Sequence, residues 1–581
     1  MKKYLYSFAC ILFVAACTAQ QPTDWNSYKL EFNELFLQDL KENNVSNSAF
    51  AVFNNDSVIY LGSNLASETV ERVGLETKYL IGSVTKVFTA IAVMQLYEKH
   101  KLDIDAPVSQ YIPDFSIKQR FPESKPITIR EVLTHHAGLP SDIFLHKFSS
   151  NSPDYHELLN YLNQHTTCFP VGKIKSYSNL GYALLGILVE RVSGKTYTDY
   201  VRQNIFLPLK MTNSGFYTNA SLQKGLTKAH DKEGKVVSEL PIYDLPAGGI
   251  YSTVIDMMKF GRSFIDKKSI LLSPHTVEIM FQLQNKDVML DLDDRSAICF
   301  DFKNKTPELG RIFEHGGAMV YHRAQLYIAP DAGLAAVMLS DAPQGTKSSW
   351  KLNEELMLNY AKLNKIKIDA KPNQEKPIPF TTIQSKNLKF FVGDYCMPGM
   401  ICNLSWQHEN LAAKIQDNDF YIVSEDNHSF VGAKRILGFM AKSKKVWLFL
   451  EQIDGENILM QSMDWGDITI IGQQVKDKKP IPVDWKRRIG KYQIINQPRN
   501  ELKMIDGFEL IEKNGFIVLK YKYNAVFDNS KGVEMALKIA NNNEAYTRGL
   551  GAGGGESVQF NKSAKGHETF LYCGLELQKA E

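Results

Sequence analysis

The sequence is poor in three features, and each shortage excludes a class of protein. Only seven of its 581 residues are cysteine and none stand as Cys-x-x-Cys, so a cysteine-rich zinc site is excluded. Lysine plus arginine (67) nearly balances aspartate plus glutamate (64), whereas a protein that mainly binds nucleic acid is normally strongly basic. No apolar run reaches the ~20 residues that cross a bilayer, which excludes a multi-spanning membrane protein. What remains is an ordinary globular composition, long enough for several domains.

The N-terminus is typical of a secretory signal peptide, which we place at residues 1–19. An apolar run of about 13 residues follows the basic start Met1-Lys2-Lys3 and is too short to span a membrane. Val14-Ala15-Ala16-Cys17 resembles a bacterial lipobox, in which Cys17 is lipidated and attaches the protein to a membrane. The alternatives are cleavage after Ala19 and a retained anchor. We therefore expect an exported protein, either a periplasmic, membrane-anchored lipoprotein or a secreted one.

Residues 25–364 alternate β-rich segments with helical ones. Hairpins are predicted within 49–61 and 324–339, and long apolar helices over 86–100 and 182–192. Strands at both ends with helices between them indicate an α/β or α+β domain, in which helices cover an antiparallel sheet.

The C-terminal third has a different pattern. Residues 365–386 are charged and contain proline, which is typical of a linker. Beyond them strand-like segments dominate, and Lys-Pro-Ile-Pro followed by Gly-x-Tyr occurs twice, with the glycines at 393 and 490. This repeat predicts two all-β, barrel-like modules, at 387–478 and 479–581. Cys396 and Cys402 flank a candidate turn and either form a disulfide or remain two buried thiols.

Ser83 and Lys86 stand at the start of the first long predicted helix. Residues three apart share one helix face, and the first turn has free N–H groups at the positive end of the helix dipole. A serine nucleophile needs a neighbouring amine that can lose its proton, and burial lowers the pKa of such an amine. The two residues are therefore a candidate nucleophile and base.

Two further segments carry chemistry. Tyr177 precedes the second long helix, where a tyrosine hydroxyl near a lysine can share a proton, and Asn179 offers an amide to a substrate. Gly316 and Gly317 let the backbone approach a ligand closely, and the N–H that follows them can complete a two-donor oxyanion hole. A metal is not expected at His135-His136, because adjacent side chains diverge on most backbones.

Ser83-x-x-Lys86, Tyr177-x-Asn179 and His315-Gly316-Gly317, in this order and at these spacings, resemble the motifs of the serine β-lactamase and penicillin-binding superfamily. The resemblance is greatest to its class C β-lactamase, D-aminopeptidase and esterase branch, and it covers about residues 30–360. Segments 102–115, 133–140 and 246–253 also resemble that branch. The C-terminal modules resemble the lipocalin-like barrels of D-aminopeptidase-type relatives.

The resemblance implies a role for each motif residue. Ser83 would attack an acyl carbonyl and form an acyl-enzyme, while Lys86 and Tyr177 take and return its proton. The backbone N–H groups of Ser83 and Ala318 would hold the oxyanion. The implied substrate-binding residues are Asn179, His315, Gly316 and Gly317. No cofactor is implied.

Two departures from the family pattern bear on the substrate. The third motif often begins with lysine, a fixed cation, whereas His315 is mostly neutral at pH 7. This weakens the case for a β-lactamase or carboxypeptidase and favours an esterase or an aminopeptidase-like enzyme. In addition, Tyr321 and His322 stand where relatives have a glycine-aromatic turn, and they would narrow the site or add contacts.

The sequence therefore predicts an exported bacterial serine hydrolase for a small molecule or peptide, with no nucleic-acid partner. A peptidase or amidase for short peptides that contain D-amino acids is the leading version, ahead of a carboxylesterase and a β-lactamase. The alternative of another class is a non-catalytic protein that binds cell-wall fragments. In relatives a barrel loop overhangs the cleft, and we expect Gly549–Gly555 to limit substrate length. The oligomeric state is left open.

Overall fold

The computed structural model describes residues 24–63, 74–218, 226–303, 306, 308–368, 385–415, 418–424, 430–436, 439–463, 467–498, 501–524, 532–562 and 568–580. The signal segment with Cys17 and positions 369–384 of the linker lie outside these residues, so lipidation, export and the linker stay predictions. Within the described ranges, no helix combines the length and apolar character needed to cross a membrane.

Ten of the eleven α-helices in the described part of the chain belong to the α/β domain. Helix α2 is buried on every side from Thr85 to Leu96, which is the pattern of a core helix. Helix α5 begins after Ser178, whose Oγ accepts the N–H of Gly181, and ends at Gly194, whose φ is +71°. The helices are α1 Trp25–Glu42, α2 Thr85–Glu98, α3 Ile129–Leu133, α4 Glu157–Gln164, α5 Asn179–Ser193, α6 Tyr197–Val201, α7 Leu245–Gly248, α8 Val254–Arg262, α9 Pro274–Phe281, α10 Gly345–Leu363 and α11 Val483–Arg487.

A seven-stranded antiparallel sheet forms the centre of the α/β domain, in the order β2-β1-β12-β11-β10-β9-β8. Its strands are β1 Ser48–Phe53, β2 Val58–Ser63, β8 Ser296–Ala297, β9 Phe300–Lys303, β10 Ile312–Ala318, β11 Arg323–Ala329 and β12 Leu334–Ser340. The short strands β3 Tyr79–Leu80, β4 Gly215–Phe216, β5 Ala229–His230, β6 Val236–Val237 and β7 Ile250–Ser252 form two small sheets.

Both faces of the central sheet are covered by helices. In β1, Ala49 and Phe53 belong to the core that contains α2, α5 and α8, whereas Phe50 and Val52 belong to the core that contains α1 and α10. This follows from the alternation of side chains along a strand. The predicted helix-covered antiparallel sheet is confirmed, and so are the two predicted hairpins.

Two closed barrels of eight antiparallel strands each follow, as the repeat predicts. The first consists of β13 Gly393–Met397, β14 Met400–Gln407, β15 Asn410–Ile415, β16 Asn418–Ser424, β17 Phe430–Ile436, β18 Phe439–Ile453, β19 Glu456–Met463 and β20 Thr469–Gln474. The second consists of β21 Gly490–Ile494, β22 Ile505–Lys513, β23 Phe516–Tyr523, β24 Val533–Ile539, β25 Glu544–Thr547, β26 Ser557–Lys562, β27 Glu568–Tyr572 and β28 Leu575–Lys579. The domain boundaries drawn from the sequence stay predictions.

The Gly-x-Tyr repeat marks the same place in both barrels. Gly393 and Gly490 each open a first strand, with φ of +149° and +146°. Tyr395 donates its hydroxyl to the carbonyl of Phe391 at 3.0 Å, four residues earlier. Tyr492 donates to the carbonyl four residues before it at 2.6 Å. Each tyrosine thus fastens the first strand to the turn that enters its barrel.

Cys396 and Cys402 are two buried free thiols, which decides between the alternatives left by the sequence. In the β13–β14 ladder, Cys396 pairs with Ile401 and Cys402 pairs with Tyr395. Because successive residues of a strand point to opposite faces, the two thiols lie on opposite sides of the sheet. Cys402 faces the interior of the first barrel, and Cys396 packs outward against Phe516 of the second.

Both barrels contact loops of the α/β domain. Phe144 inserts among the aromatic rings of the second barrel, 6.0 Å from the ring of Tyr572, and its N–H donates to the carbonyl of Cys573 at 2.8 Å. On the first barrel, Ile468 donates its N–H to Asp293 at 2.9 Å. The loop 549–555 of the second barrel lies against residues 168–175. Its effect on substrate length stays a prediction.

Candidate active site

The structure brings Ser83 and Lys86 together at the start of α2. Ser83 lies in a single 3₁₀ turn, Gly82–Val84, and α2 begins at Thr85. Lys86 is fully buried, and its Nζ is 3.1 Å from Ser83 Oγ, 2.7 Å from Asn179 Oδ1 and 2.8 Å from the carbonyl of Ala247. Ser83 itself is partly exposed, so a substrate can reach its hydroxyl.

Burial lowers the pKa of Lys86 to about 7, although the charge of Asp244 opposes the shift. An exposed lysine is almost fully protonated at neutral pH, whereas about half of such an amine is neutral there. Lys86 therefore has a lone pair available next to the Ser83 hydroxyl.

Tyr177 completes the group of residues around Ser83. Its ring lies 4.9 Å from Lys86 Nζ. Burial raises the pKa of Tyr177 well above its ordinary value, and a hydrogen bond with Ser83 opposes this shift only in part. Tyr177 therefore stays protonated and is able to donate a hydrogen bond, which makes Lys86 the candidate base of this site.

His135 supports Tyr177, a role that the sequence did not indicate. Its ring packs against the Tyr177 ring at 4.3 Å, and its Nδ1 accepts the N–H of Ser178 at 3.0 Å. Burial holds the pKa of His135 well below its ordinary value, so the ring is neutral. His136 points elsewhere, to Asp291 at 2.7 Å, and the expected divergence of the two side chains is confirmed.

The third motif lies within strand β10. The ladder of β10 with β11 includes His315 and both glycines of the motif. A Cβ on Gly317 would lie 1.9 Å from the carbonyl oxygen of Ile81, and a Cβ on Gly82 would lie 2.6 Å from the nitrogen of Ala318. Glycine at these positions lets β10 touch the turn that carries Ser83. Ser83 and Ala318 both line the cleft, so their backbone N–H groups are the candidates for a two-donor oxyanion hole.

His315 supplies no positive charge. Burial lowers its pKa to about 4, against the charge of Asp301, so the ring is neutral at pH 7 as the sequence predicted. Among the described residues that line the cleft, the one lysine or arginine is Lys175, which pairs with Asp294 at 2.8 Å and with Asp301 at 2.5 Å. Its charge is therefore already balanced by two carboxylates.

These residues line a cleft of about 350 Å³, which includes Ser83, Tyr177, Lys175, His315 and Gly317. Tyr321 and His322 are not part of its wall, and both side chains are buried. The sequence-based expectation that they narrow the site or contact the substrate is wrong.

Sequence reasoning missed three charged residues behind the site. Asp142 accepts a hydrogen bond from Asn179 Nδ2 at 2.8 Å, and Lys147 bridges Asp142 and Asp244 at 2.7 Å each. Asp142 follows the segment 133–140 and Asp244 precedes the segment 246–253. The sequence could have pointed to Asp142 and Asp244, because each stands next to a segment that resembles the family.

Comparisons with known proteins agree with this geometry. A family model described as Beta-lactamase matches residues 32–358, more than half of the chain. The putative penicillin-binding protein PbpX of Bacillus subtilis strain 168 is 31% identical over 255 residues, which are 43% of this chain and 62% of PbpX. The chain spans between 49% and 62% of the length of the first curated relatives that it matches.

Two solved structures share the fold over most of the chain. The octameric penicillin-binding protein homologue from Pyrococcus abyssi covers 75% of this chain and 99% of its own, with a TM-score of 0.52 and 20% identity. The crystal structure of SurE with D-Leu covers 77% of this chain and 99% of its own, with a TM-score of 0.54 and 19% identity.

Proposed function

This chain belongs to the beta-lactamase family of serine hydrolases, and from that premise we propose that it cleaves an amide or ester bond through an acyl-enzyme on Ser83. The observation that carries the proposal is the amine of Lys86, buried, with a pKa of about 7 and 3.1 Å from Ser83 Oγ. A lysine in that state is costly to bury and serves as a base.

The reaction then follows from the geometry. Neutral Lys86 takes the hydroxyl proton of Ser83 while Oγ attacks the acyl carbonyl, and the N–H groups of Ser83 and Ala318 bind the oxyanion. When the tetrahedral intermediate collapses, the leaving amine or alcohol receives a proton from the Lys86 ammonium, with Tyr177 as a hydrogen-bond donor beside it. In the second half water attacks the acyl carbonyl while Lys86 takes its proton. The second tetrahedral intermediate then expels Ser83 Oγ, which recovers that proton from the Lys86 ammonium as the acid product leaves.

For the substrate we propose short peptides that contain D-amino acids, with hydrolysis at an amide bond. Neutral His315 and the paired Lys175 offer no free cation in the cleft wall for a substrate carboxylate. This favours cleavage away from a free C-terminal carboxylate. SurE, which has a similar fold, has been crystallised with D-Leu, a free D-amino acid.

A carboxylesterase is the second candidate, because the same neutral cleft suits an uncharged ester. A β-lactamase is third, since β-lactam antibiotics carry a carboxylate. A protein that only binds cell-wall fragments would have no need of a lysine whose pKa is lowered to about 7 beside a partly exposed serine.

We also propose that the protein is exported, with Cys17 as the site of a lipid that anchors it to a membrane. The support is the basic, apolar and small-residue pattern of residues 1–19. Globomycin, which blocks lipoprotein signal cleavage, should leave a heavier precursor in cells, and Cys17→Ser should abolish labelling by an alkyne palmitate analogue. Normal labelling of that variant would overturn the anchor.

The proposed activity is tested by intact mass after incubation with a fluorophosphonate. We expect one adduct on the wild type and none on Ser83→Ala, whereas the exposed Ser116→Ala should react like the wild type. The same protein should then hydrolyse D-alanine p-nitroanilide at least about tenfold faster than the L form, a difference of about 1.4 kcal/mol. A fluorophosphonate adduct that persists in Ser83→Ala would overturn the assignment of the nucleophile.

A further inference from the structure

The neutral amine of Lys86 has two hydrogens and one lone pair, and its surroundings match that count. Two acceptors lie at short distances, Asn179 Oδ1 at 2.7 Å and the carbonyl of Ala247 at 2.8 Å. The third neighbour, Ser83 Oγ, is at 3.1 Å and carries a hydrogen of its own. When both acceptors hold the amine hydrogens, the lone pair faces Ser83. The direction of the base is therefore set by what fixes these two acceptors.

Asp142 fixes the first acceptor. The side-chain amide of Asn179 can present either its oxygen or its NH₂ to Lys86, and only the oxygen accepts a hydrogen bond. An ionised carboxylate is an acceptor only, so Asp142 Oδ2, which accepts from Asn179 Nδ2 at 2.8 Å, holds the NH₂ on its own side. The oxygen of Asn179 must then face Lys86.

Lys147 connects both acceptors. Its buried ammonium donates to Asp142 Oδ1 and to Asp244 Oδ2, each at 2.7 Å. Asp244 immediately precedes helix α7, which carries Ala247, and its carbonyl accepts the N–H of Ala247 at 2.8 Å. One cation thus ties the residue that orients Asn179 to the turn that presents the Ala247 carbonyl.

We propose that Asp142 and Lys147 are positioning residues of this site, which together hold both acceptors of the Lys86 amine and aim its lone pair at Ser83 Oγ. The inference rests on the proposed function, since it concerns the base of that reaction. Neither residue touches the substrate in this assignment; both act through Lys86.

The same two residues also set the charge around Lys86. The carboxylate of Asp142 raises the pKa of Lys86 and the ammonium of Lys147 lowers it, while burial is the largest influence. The titratable groups that face Lys86 are Asp142, Asp244, Lys147, Cys299, Tyr177, Tyr182, His135 and His315. Loss of the Asp142 charge alone therefore lowers the pKa of Lys86, and the acidic limb of the rate profile moves to lower pH.

The experiment measures the second-order rate of fluorophosphonate labelling from pH 5 to 9 in Asp142→Asn. Asparagine at this position replaces one of the two carboxylate oxygens by an NH₂ group, so either Lys147 or Asn179 Nδ2 then faces a donor instead of an acceptor. We expect the plateau rate to fall by about tenfold or more and the acidic limb to move down by about half a pH unit. Asp256→Asn is the matched control, because Asp256 is buried and paired with Lys259 at 2.8 Å on a helix away from the cleft. The Asp256→Asn substitution should lower the melting temperature, but the acidic limb of its labelling profile should stay at the wild-type pH.

Lys147→Met and the double variant complete the test. If Asp142 and Lys147 act through the same hydrogen-bonded group, the double variant will be slower than the wild type by much less than the product of the two single effects. Two results would overturn the inference: single-variant rate losses that multiply in the double variant, or an acidic limb of Asp142→Asn at the same pH as in the wild type. The proposed function would survive either result, because the wild type is still labelled. A wild type that takes no label would overturn both.

Discussion

Burial and charge pull the pKa of Lys86 in opposite directions, and burial prevails. The side chain is fully enclosed, and the nearest carboxylates, Asp244 and Asp142, do not touch its nitrogen. They are instead neutralised in part by Lys147, which lies between them. An ammonium in direct contact with a carboxylate would stay protonated at neutral pH. Keeping one amide or carbonyl between the amine and each carboxylate is what leaves Lys86 able to accept a proton.

This arrangement predicts the pH dependence of acylation. The reactive form of Lys86 is neutral, so the labelling rate should rise about tenfold per pH unit below its pKa of about 7 and level off above it. Lys86→Met should lower the plateau by at least about a hundredfold, the usual range for loss of a general base. The exposed Lys99→Met, at the other end of α2, should leave the profile unchanged. If the labelling rate instead rises up to about pH 10, Lys86 titrates as an ordinary lysine.

At the scale of elements, the site depends on the contact between β10 and the turn that carries Ser83. Gly317→Ala would place a Cβ 1.9 Å from the carbonyl oxygen of Ile81, and backbone on both sides must then separate. The N–H of Ala318 would move away from that of Ser83, so we expect the labelling rate to fall by about a hundredfold and the melting temperature to drop.

Gly507→Ala in β22 is the matched control for this substitution, since a Cβ there meets nothing within 4 Å. It should change neither the labelling rate nor the melting temperature measurably. A Gly317→Ala variant that is labelled at the wild-type rate would mean that the Ala318 N–H does not bind the oxyanion.

The elements that the sequence predicts best are those specified locally. The hairpin at Asn54–Asp56, helix α2 and the Gly-x-Tyr starts of the barrels follow from turn residues, apolar periodicity and a repeat. The order of the central sheet does not, because the pairing of β1 with β12 joins segments almost 300 residues apart. Nearest-neighbour patterns carry no information on such contacts.

Some residues of the candidate site can likewise be predicted from local sequence, and others cannot. Ser83 and Lys86 are three residues apart, and helix geometry alone places them on one face. Lys147 and Asp244 are 97 residues apart, and no local pattern in the sequence connects them. The hydrogen-bonded group behind Lys86, which consists of Asn179, Asp142, Lys147 and Asp244, is therefore recognised only in the folded structure, where these loops come together.

At the scale of the whole molecule, the second barrel reaches the site through Ser141. Its Glu556 accepts the N–H of Ser141 at 2.7 Å, and Gly553 donates its N–H to Ser141 Oγ at 3.0 Å. The carbonyl of Ser141 in turn accepts the N–H of Asn179 at 2.9 Å. The barrel interior is filled with side chains such as Phe508. The barrel thus acts on the α/β domain through its loops.

The state of Glu556 makes this interface depend on pH. Burial raises its pKa to about 7 from 4.5, so the folded protein keeps a proton that the unfolded chain loses between these values. Stability therefore falls as pH rises through this window, by up to about 3 kcal/mol for a shift of this size. Glu556→Gln cannot ionise and keeps an oxygen for the Ser141 N–H. We expect its melting temperature to vary less than that of the wild type between pH 5 and 8 and to exceed it at pH 8.

Glu512→Gln provides the comparison, because this glutamate is exposed on the same barrel and its loss should leave the pH dependence of the wild type intact. Differential scanning calorimetry across the range measures all three proteins. If Glu556→Gln follows the wild-type slope, Glu556 is ionised in the folded state at pH 5, and the attachment of the second barrel at Ser141 does not weaken as pH rises. If the melting temperature of Glu556→Gln no longer falls with pH, the Glu556 carboxyl is the group whose ionisation weakens the contact between the barrel loop and Ser141. The carbonyl of Ser141 holds the N–H of Asn179, so the pH effect then reaches the backbone of the site.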